Sequence, residues 1–147
     1  MGNLQLYDQD FYAWANEQAG LLRAGRLSEA DIEHIAEEIE SMGKSEKREL
    51  VSRLTVLLVH LLRWRSQPAF RGNSWRLTIE DQRAQLGYHM ADNPSLASSL
   101  EETVKAAYHL ATLGAMRESG LDRSTFPSIC PWSYGQMMDT GFWPEAT

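Results

Sequence analysis

Apolar residues recur at three- and four-residue steps along most of the chain, the spacing that places them on one face of an α-helix. The spacing predicts a first helix that is capped by Asp8 and ends at Gly25. A second helix begins at the capping-box-like pair Ser28 and Asp31 and ends at Gly43. The side chains predicted to face inward from this second helix are Ile32, Ile35, Ala36, Ile39 and Met42.

The most apolar segment begins near Ser45 and runs to about Trp64. Leu57 and Leu61 belong to a stripe of leucines, and valines and further leucines occupy most of the remaining positions. A helix that is apolar on nearly every side is a buried helix, so we expect this third helix to be the central element. Its longest apolar stretch is far shorter than the roughly 20 residues needed to span a bilayer.

Two further helices follow the central one. Ser74 is the predicted cap of the fourth helix. Asn93 and Pro94 open the fifth, because proline is well tolerated at a first helical position. Gly120 is its predicted end.

The C-terminal tail is irregular and rich in proline and aromatic residues. Ser133 and Gln136 have the spacing of a capping box, which predicts one brief helix at 133–140. No segment shows the alternation of a β-strand. The sequence therefore predicts an all-α fold, with residues 1–147 forming a single domain of about five main helices around a buried central helix and the tail packed on it.

Composition is that of a folded globular protein. The chain has 147 residues, of which 43% are hydrophobic and 23% are charged. Cys130 is the single cysteine, so an intramolecular disulfide is excluded. The N-terminal residues lack the basic and apolar regions of a secretory signal. These features lead us to expect a cytoplasmic protein that does not enter the membrane.

Charge is distributed unevenly along the chain, although the net charge is -6 and the isoelectric point is near 5.2. Residues 1–40 carry nine acids and two bases, residues 41–90 carry nine bases and four acids, and residues 91–147 carry seven acids and three bases. The acidic total disfavours a protein that coats nucleic acid through bulk charge.

Several short motifs occur in order from the first helix to the tail. They are Asp10-Phe11-Tyr12-Ala13-Trp14, Ile35-Ala36-Glu37-Glu38-Ile39-Glu40-Ser41-Met42-Gly43, His60-Leu61-Leu62-Arg63-Trp64, Ser74-Trp75-Arg76-Leu77-Thr78-Ile79, Phe126-Pro127, Cys130-Pro131-Trp132 and Phe142-Trp143-Pro144. Through these motifs the chain resembles a bacterial family known only as domain of unknown function twenty-nine. The resemblance implies a helical fold and a bacterial, cytoplasmic setting, and it carries no known activity, so it assigns no functional residue.

The acidic second helix is the densest group of ionisable residues, with Glu37, Glu38 and His34 among them. Helical di-iron proteins use Glu-x-x-His from each of two helices, and no histidine here is preceded by glutamate at that spacing. We therefore predict no metal site and no cofactor, and we interpret the acids as a solvated or arginine-paired face.

Two other residues have the chemistry for a site. His60 interrupts the most apolar helix, and a buried imidazole there requires a hydrogen-bond partner such as an acid or a backbone carbonyl. Cys130 is expected to behave as a small apolar residue, because a reactive thiol needs exposure and a lowered pKa. No glycine-rich phosphate-binding motif occurs in the sequence.

The segment 63–76 contains four arginines, three aromatic residues and no acid. It suits nucleic-acid binding, and it equally suits internal pairing with the acids of the second helix. We predict that Arg65 and Arg76 turn inward to Glu37, Glu38 or Glu40. Arg71 is then the arginine left free to hold an anion, beside the start of the fourth helix.

No catalytic constellation is legible, so an enzyme is not the leading interpretation. The sequence favours a small non-catalytic interaction or regulatory module that binds an unknown protein partner or itself as a homodimer. One alternative is a small ligand-binding protein or enzyme, with an anion or partner site built from Arg65, Arg71, Arg76, His60, Glu37 and Glu38. A second alternative is weak, sequence-tolerant binding of nucleic acid.

Overall fold

The structure is a computed structural model that describes residues 2–146, with side chains from Leu6 onward. Between these limits it contains no β-strand, which confirms the all-α prediction. This described range contains six α-helices, and 3₁₀ turns lie between successive helices from α2 onward. The helices are α1 (Gly2–Gln9), α2 (Phe11–Arg23), α3 (Ile32–Ser66), α4 (Asn73–Asp92), α5 (Leu100–Ser119) and α6 (Tyr134–Met138).

Packing divides the chain into two compact units, one ending at Ser45 and one beginning at Glu46. Helix α3 contributes residues to both units. The single domain over residues 1–147 stays a prediction.

The second and third predicted helices are one continuous helix, so the predicted end at Gly43 and the new start at Ser45 are wrong. A glycine inside a helix costs only about 1 kcal/mol relative to alanine, and tertiary context readily overrides this penalty. Gly43 does not have a positive φ, whereas Gly25 and Gly120 have φ of 72° and 73° and follow helices as predicted.

The first unit places its helix starts differently from the prediction. Asp10, not Asp8, caps α2, because its carboxylate accepts a hydrogen bond of 3.0 Å from the backbone N–H of Ala13. Residue 8 lies within α1, a helix that the spacing of apolar residues does not reveal. Ser28 lies in a 3₁₀ turn, and α3 begins only after Asp31.

The second unit is built around the C-terminal half of α3. Leu57 and Leu61 are completely buried, as predicted for the central helix. Helices α4 and α5 and the tail supply the rest of this core. The buried apolar residues are Leu50, Leu54, Leu57, Leu58, Val59, Leu61, Leu62, Ile79, Leu86, Ala107, Tyr108, Ala111, Ala115, Phe126 and Met137.

Small residues let α5 approach α3 closely. A Cβ atom added to Gly114 would lie 3.0 Å from the Cγ2 atom of Val59. Helix α4 begins at Asn73 with Gly72 as its cap, so the predicted cap at Ser74 is wrong. Pro94 opens a 3₁₀ turn that leads into α5.

The tail packs on this core through backbone carbonyls as well as aromatic rings. Arg83 of α4 is 3% exposed and donates from Nε to the Met137 carbonyl at 2.6 Å and from Nη2 to the Phe142 carbonyl at 2.7 Å. Trp143 packs on Trp64, with ring centroids 4.7 Å apart. The capping box at residues 133 and 136 is formed as predicted.

Within residues 2–146, none of the helices combines the length and the apolar character that crossing a membrane requires.

Replacement of Leu57 by alanine tests the role of α3 as the centre of the second unit. Leu57→Ala should lower the free energy of unfolding by about 2–5 kcal/mol, because a fully buried leucine leaves a cavity. The neighbouring Val56 is 36% exposed, and Val56→Ala should cost less than about 1 kcal/mol. Urea denaturation of the two variants measures the difference, and equal stabilities would contradict the packing.

Candidate interaction surface

A cluster of aromatic and polar side chains holds α3 against α1 and α2 in the first unit. The Tyr7 hydroxyl donates to Oε1 of Glu38 at 2.5 Å. The same ring stacks on His34, with centroids 4.0 Å apart, and meets Trp14 edge-on at 4.7 Å. Glu38, which the sequence offers as a site residue, therefore has an internal partner.

Asp31 is the centre of a hydrogen-bond network in this unit. Its Oδ2 accepts from Nε1 of Trp14 at 3.2 Å and contacts Nδ1 of His34 at 2.7 Å. Its backbone N–H donates to Oε1 of Gln18 at 2.7 Å. Trp14 and Gln18 are both buried, so the network fixes the start of α3 in a water-poor environment.

The network shifts the pKa values of its members. Burial alone would raise the pKa of Asp31, but the hydrogen bonds from His34 and Trp14 outweigh it and lower the pKa overall. The hydrogen bond to Asp31 in turn raises the pKa of His34. The hydrogen bond to Glu38, with a smaller contribution from burial, raises the pKa of Tyr7 to about 12.

Most of the apolar stripe at the start of α3 is exposed, which corrects its predicted inward orientation, and Ile35 alone among its isoleucines is half-buried. Ile32, Ile39 and Met42 are 54%, 62% and 66% exposed. The reason is that His34 and Glu38, on an adjacent side of the helix, make the contacts with α1 and α2. Polar contacts thus decided which side of this amphipathic helix is covered.

Acidic side chains accompany the exposed stripe. Glu33, Glu37 and Glu40 lie in the same segment of α3 and are exposed. The first unit as a whole carries nine acids and three bases. We call the exposed residues Ile32, Ile39 and Met42, with Glu33, Glu37 and Glu40, the acidic–apolar surface.

The arginines of the predicted anion site lie in the second unit and differ in their exposure and in their contacts. Arg71 donates to the carbonyls of Trp64 at 2.7 Å and Pro144 at 3.3 Å, so the prediction that it is left free is wrong. Arg76 is exposed and donates to Oδ1 of Asn73 at 3.0 Å. Arg65 is half-buried beside a shallow pocket of about 400 Å³. The predicted pairing of Arg65 and Arg76 with Glu37, Glu38 or Glu40 stays a prediction.

Two histidines of the second unit, His60 and His89, have local partners. His60 contacts the carbonyl of Val56, one turn earlier in α3, at 2.8 Å through Nδ1. His89 is 6% exposed, with Nε2 at 2.8 Å from the Glu46 carbonyl and Nδ1 at 3.0 Å from the carboxylate of Glu49. In the part of the chain that is described, no three metal-ligating side chains cluster.

Cys130 is half-buried, and its thiol donates to the carbonyl of Trp132 at 3.5 Å. Burial raises the pKa of this thiol. A raised pKa reduces the thiolate fraction, so the surroundings are those of a structural cysteine rather than a nucleophile.

Comparison with known proteins supports the resemblance seen in the sequence. The family described as "Domain of unknown function DUF29" has a model that matches residues 6–143, nearly the whole chain. Neither a curated protein nor a solved structure matches the chain.

Replacement of Arg71 and Arg76 by alanine compares a buried contact with an exposed one. Arg71→Ala should destabilise the second unit by about 1–3 kcal/mol, because two carbonyls lose a charged donor. Arg76→Ala should change stability by less than about 0.5 kcal/mol. Thermal denaturation measures the stability of the two variants. A larger loss of stability for Arg76→Ala than for Arg71→Ala would contradict the roles assigned to the two arginines.

The ion pair of His34 and Asp31 predicts a pH optimum for the stability of the first unit. The raised pKa of His34 contributes stability below about pH 6.5 that is lost as pH rises through the folded pKa. The lowered pKa of Asp31 contributes stability above about pH 4 that is lost as pH falls. Protection factors of the α2 amides should therefore decrease from pH 6 to pH 8.

The variant His34→Gln should remove most of that decrease, because the glutamine side chain does not titrate. His109→Gln, at an exposed histidine of the second unit, is the control and should retain it. An unchanged decrease in His34→Gln would show that another group is responsible.

Proposed function

The chain belongs to the DUF29 family, and from its acidic–apolar surface we propose that it is a non-catalytic module that binds another protein. The observation that carries this proposal is the exposure of Ile32, Ile39 and Met42 along one side of α3. These residues have the spacing of a helix face that packs against a partner helix.

Exposed apolar side chains extend over the first unit beyond this stripe. Phe11 is 48% exposed, Leu22 is 41% exposed and Leu27 is 58% exposed. Apolar area gains roughly 25 cal/mol per Å² when it leaves water. Exposed apolar patches rimmed by polar residues are typical of sites where another protein binds.

The charge of the first unit selects the kind of partner. Nine acids against three bases favour a partner with a basic rim around its own apolar face. A second copy that docked through the same surface would bring together two units that each carry a net negative charge. We therefore propose that a basic amphipathic helix of another protein binds this surface. We place this interaction in the cytoplasm, because a single cysteine is typical of proteins from a reducing compartment.

Contacts within the arginine-rich segment favour this function over nucleic-acid binding. Arg63 pairs with Glu118 at 3.0 Å and lies over the ring of Trp75. Arg71 is held by carbonyl groups and by the ring of Trp64. Guanidinium groups that are engaged in this way contribute less to a phosphate-binding surface.

A synthetic helical peptide tests the proposal directly. The probe is an 18-residue peptide with leucine at helical a and d positions and lysine or arginine elsewhere. It should bind the intact protein in fluorescence anisotropy, and the double variant Ile39→Gln/Met42→Gln should weaken binding at least tenfold. The loss follows from removing two exposed apolar anchors, each worth about 1 kcal/mol.

The matched control is the double variant Leu77→Gln/Tyr88→Gln, which alters exposed residues of the second unit and should bind as the parent does. A peptide with glutamate in place of its basic residues should bind poorly. Equal binding of both peptides, or equal loss in both double variants, would refute the proposed surface. Sedimentation equilibrium provides the check for self-association, and a stable dimer that Ile39→Gln/Met42→Gln dissociates would identify a second copy as the occupant.

A further inference from the structure

A cavity of about 1000 Å³ lies in the second unit, between one side of α5 and the segment 122–130 that follows it. Lys105, His109 and Thr112 line it from α5, because residues three and four apart share a helix face. Phe126 and Ile129 line it from the opposite wall. The size is at the upper end of the range for small-molecule sites.

The wall opposite α5 is held in place by its own hydrogen bonds. The Tyr108 hydroxyl donates to the Pro127 carbonyl at 2.5 Å and so ties the segment to the helix. Asp122 accepts from the backbone N–H of Ser124 at 3.0 Å and from its hydroxyl at 2.6 Å. Because these bonds lie within the protein itself, they hold the wall in one arrangement, which reduces the ordering that binding would require.

The lining combines an apolar interior with a cationic rim. Phe126 is buried at the back, and Ile129 is 79% exposed at the opening. Lys105 and Arg123 are exposed and bring two positive charges to the rim. The one carboxylate among the lining residues is that of Asp122, which accepts hydrogen bonds from Ser124 and stays ionised. The lining residues other than histidine therefore carry two positive charges and one negative charge.

Two potential nucleophiles of the lining already have hydrogen-bond partners. The thiol of Cys130 donates to the carbonyl of Trp132. The hydroxyl of Ser124 donates to Asp122.

We propose that this cavity binds a small organic acid, with an apolar body between Phe126 and Ile129 and its anionic group at Lys105 and Arg123. The inference rests on a different unit from the acidic–apolar surface and is independent of it. The two cations at the rim favour a ligand with an anionic group, and the apolar interior favours a ligand whose remaining part is apolar.

The probe for this site is 1-anilinonaphthalene-8-sulfonate, an aromatic anion that fluoresces when it leaves water. It should bind with saturation at one site per chain, and the double variant Lys105→Gln/Arg123→Gln should weaken binding about tenfold. The reason is that each exposed rim charge is worth up to about 1 kcal/mol, or about fivefold in affinity. Both residues are exposed, so the melting temperature should not change.

Two controls separate this site from the surface of the first unit. Arg117→Gln removes an exposed charge of α5 away from the cavity lining and should bind as the parent does. Ile39→Gln/Met42→Gln should also leave dye binding unchanged, even where it abolishes peptide binding. Dye fluorescence lost in that variant would place the dye on the acidic–apolar surface and overturn the assignment.

Competition defines the ligand class. Decanoate should displace the dye at least tenfold more effectively than decanol, because only the acid has a charge for Lys105 and Arg123. Equal displacement by the two would overturn the anion-selective site, and so would the absence of saturable dye binding. An unchanged affinity of the Lys105→Gln/Arg123→Gln variant for the dye would also overturn the assignment.

Discussion

The leucine-rich half of α3 has to be enclosed on nearly every side, and this requirement places the other elements of the second unit. Leu57 and Leu61 are completely buried, and so are Ile79 and Leu86 of the helix packed beside them. Helix α5 comes so close that only a glycine at position 114 fits there without displacing a neighbour. A domain of this size owes its net stability to such apolar burial, since conformational entropy opposes folding by a similar amount.

The first unit is stabilised by a different balance of forces. The carboxylate of Asp31 joins Trp14 and His34 by hydrogen bonds, and these polar contacts choose the side of α3 that is covered. As a result, Ile32 and Ile39 face water. One continuous helix therefore serves as a core element from Leu50 onward and as a candidate binding surface near its beginning.

Some local features could be predicted from the sequence, although the predicted caps at Asp8 and Ser74 were each displaced by two residues. Gly25 and Gly120 end their helices because only glycine adopts a positive φ cheaply, and Ser133 forms its capping box with a partner three residues away. The helix end predicted at Gly43 was wrong because the stability of the surrounding helix exceeds the small penalty of one glycine. The site was harder to predict, since neither the partners of Arg71 nor the exposure of Ile39 follows from helical spacing alone.

The buried guanidinium of Arg83 ties the folding of the second unit to the late part of its sequence. Burial of a charged side chain is costly unless protein groups replace the hydrogen bonds that it made with water. For Arg83 these groups are the carbonyls of Met137 and Phe142. On a ribosome, α4 emerges some fifty residues ahead of those carbonyls. Until residue 142 has been synthesised, Arg83 is therefore held in water, and the core of this unit closes only after the tail has arrived.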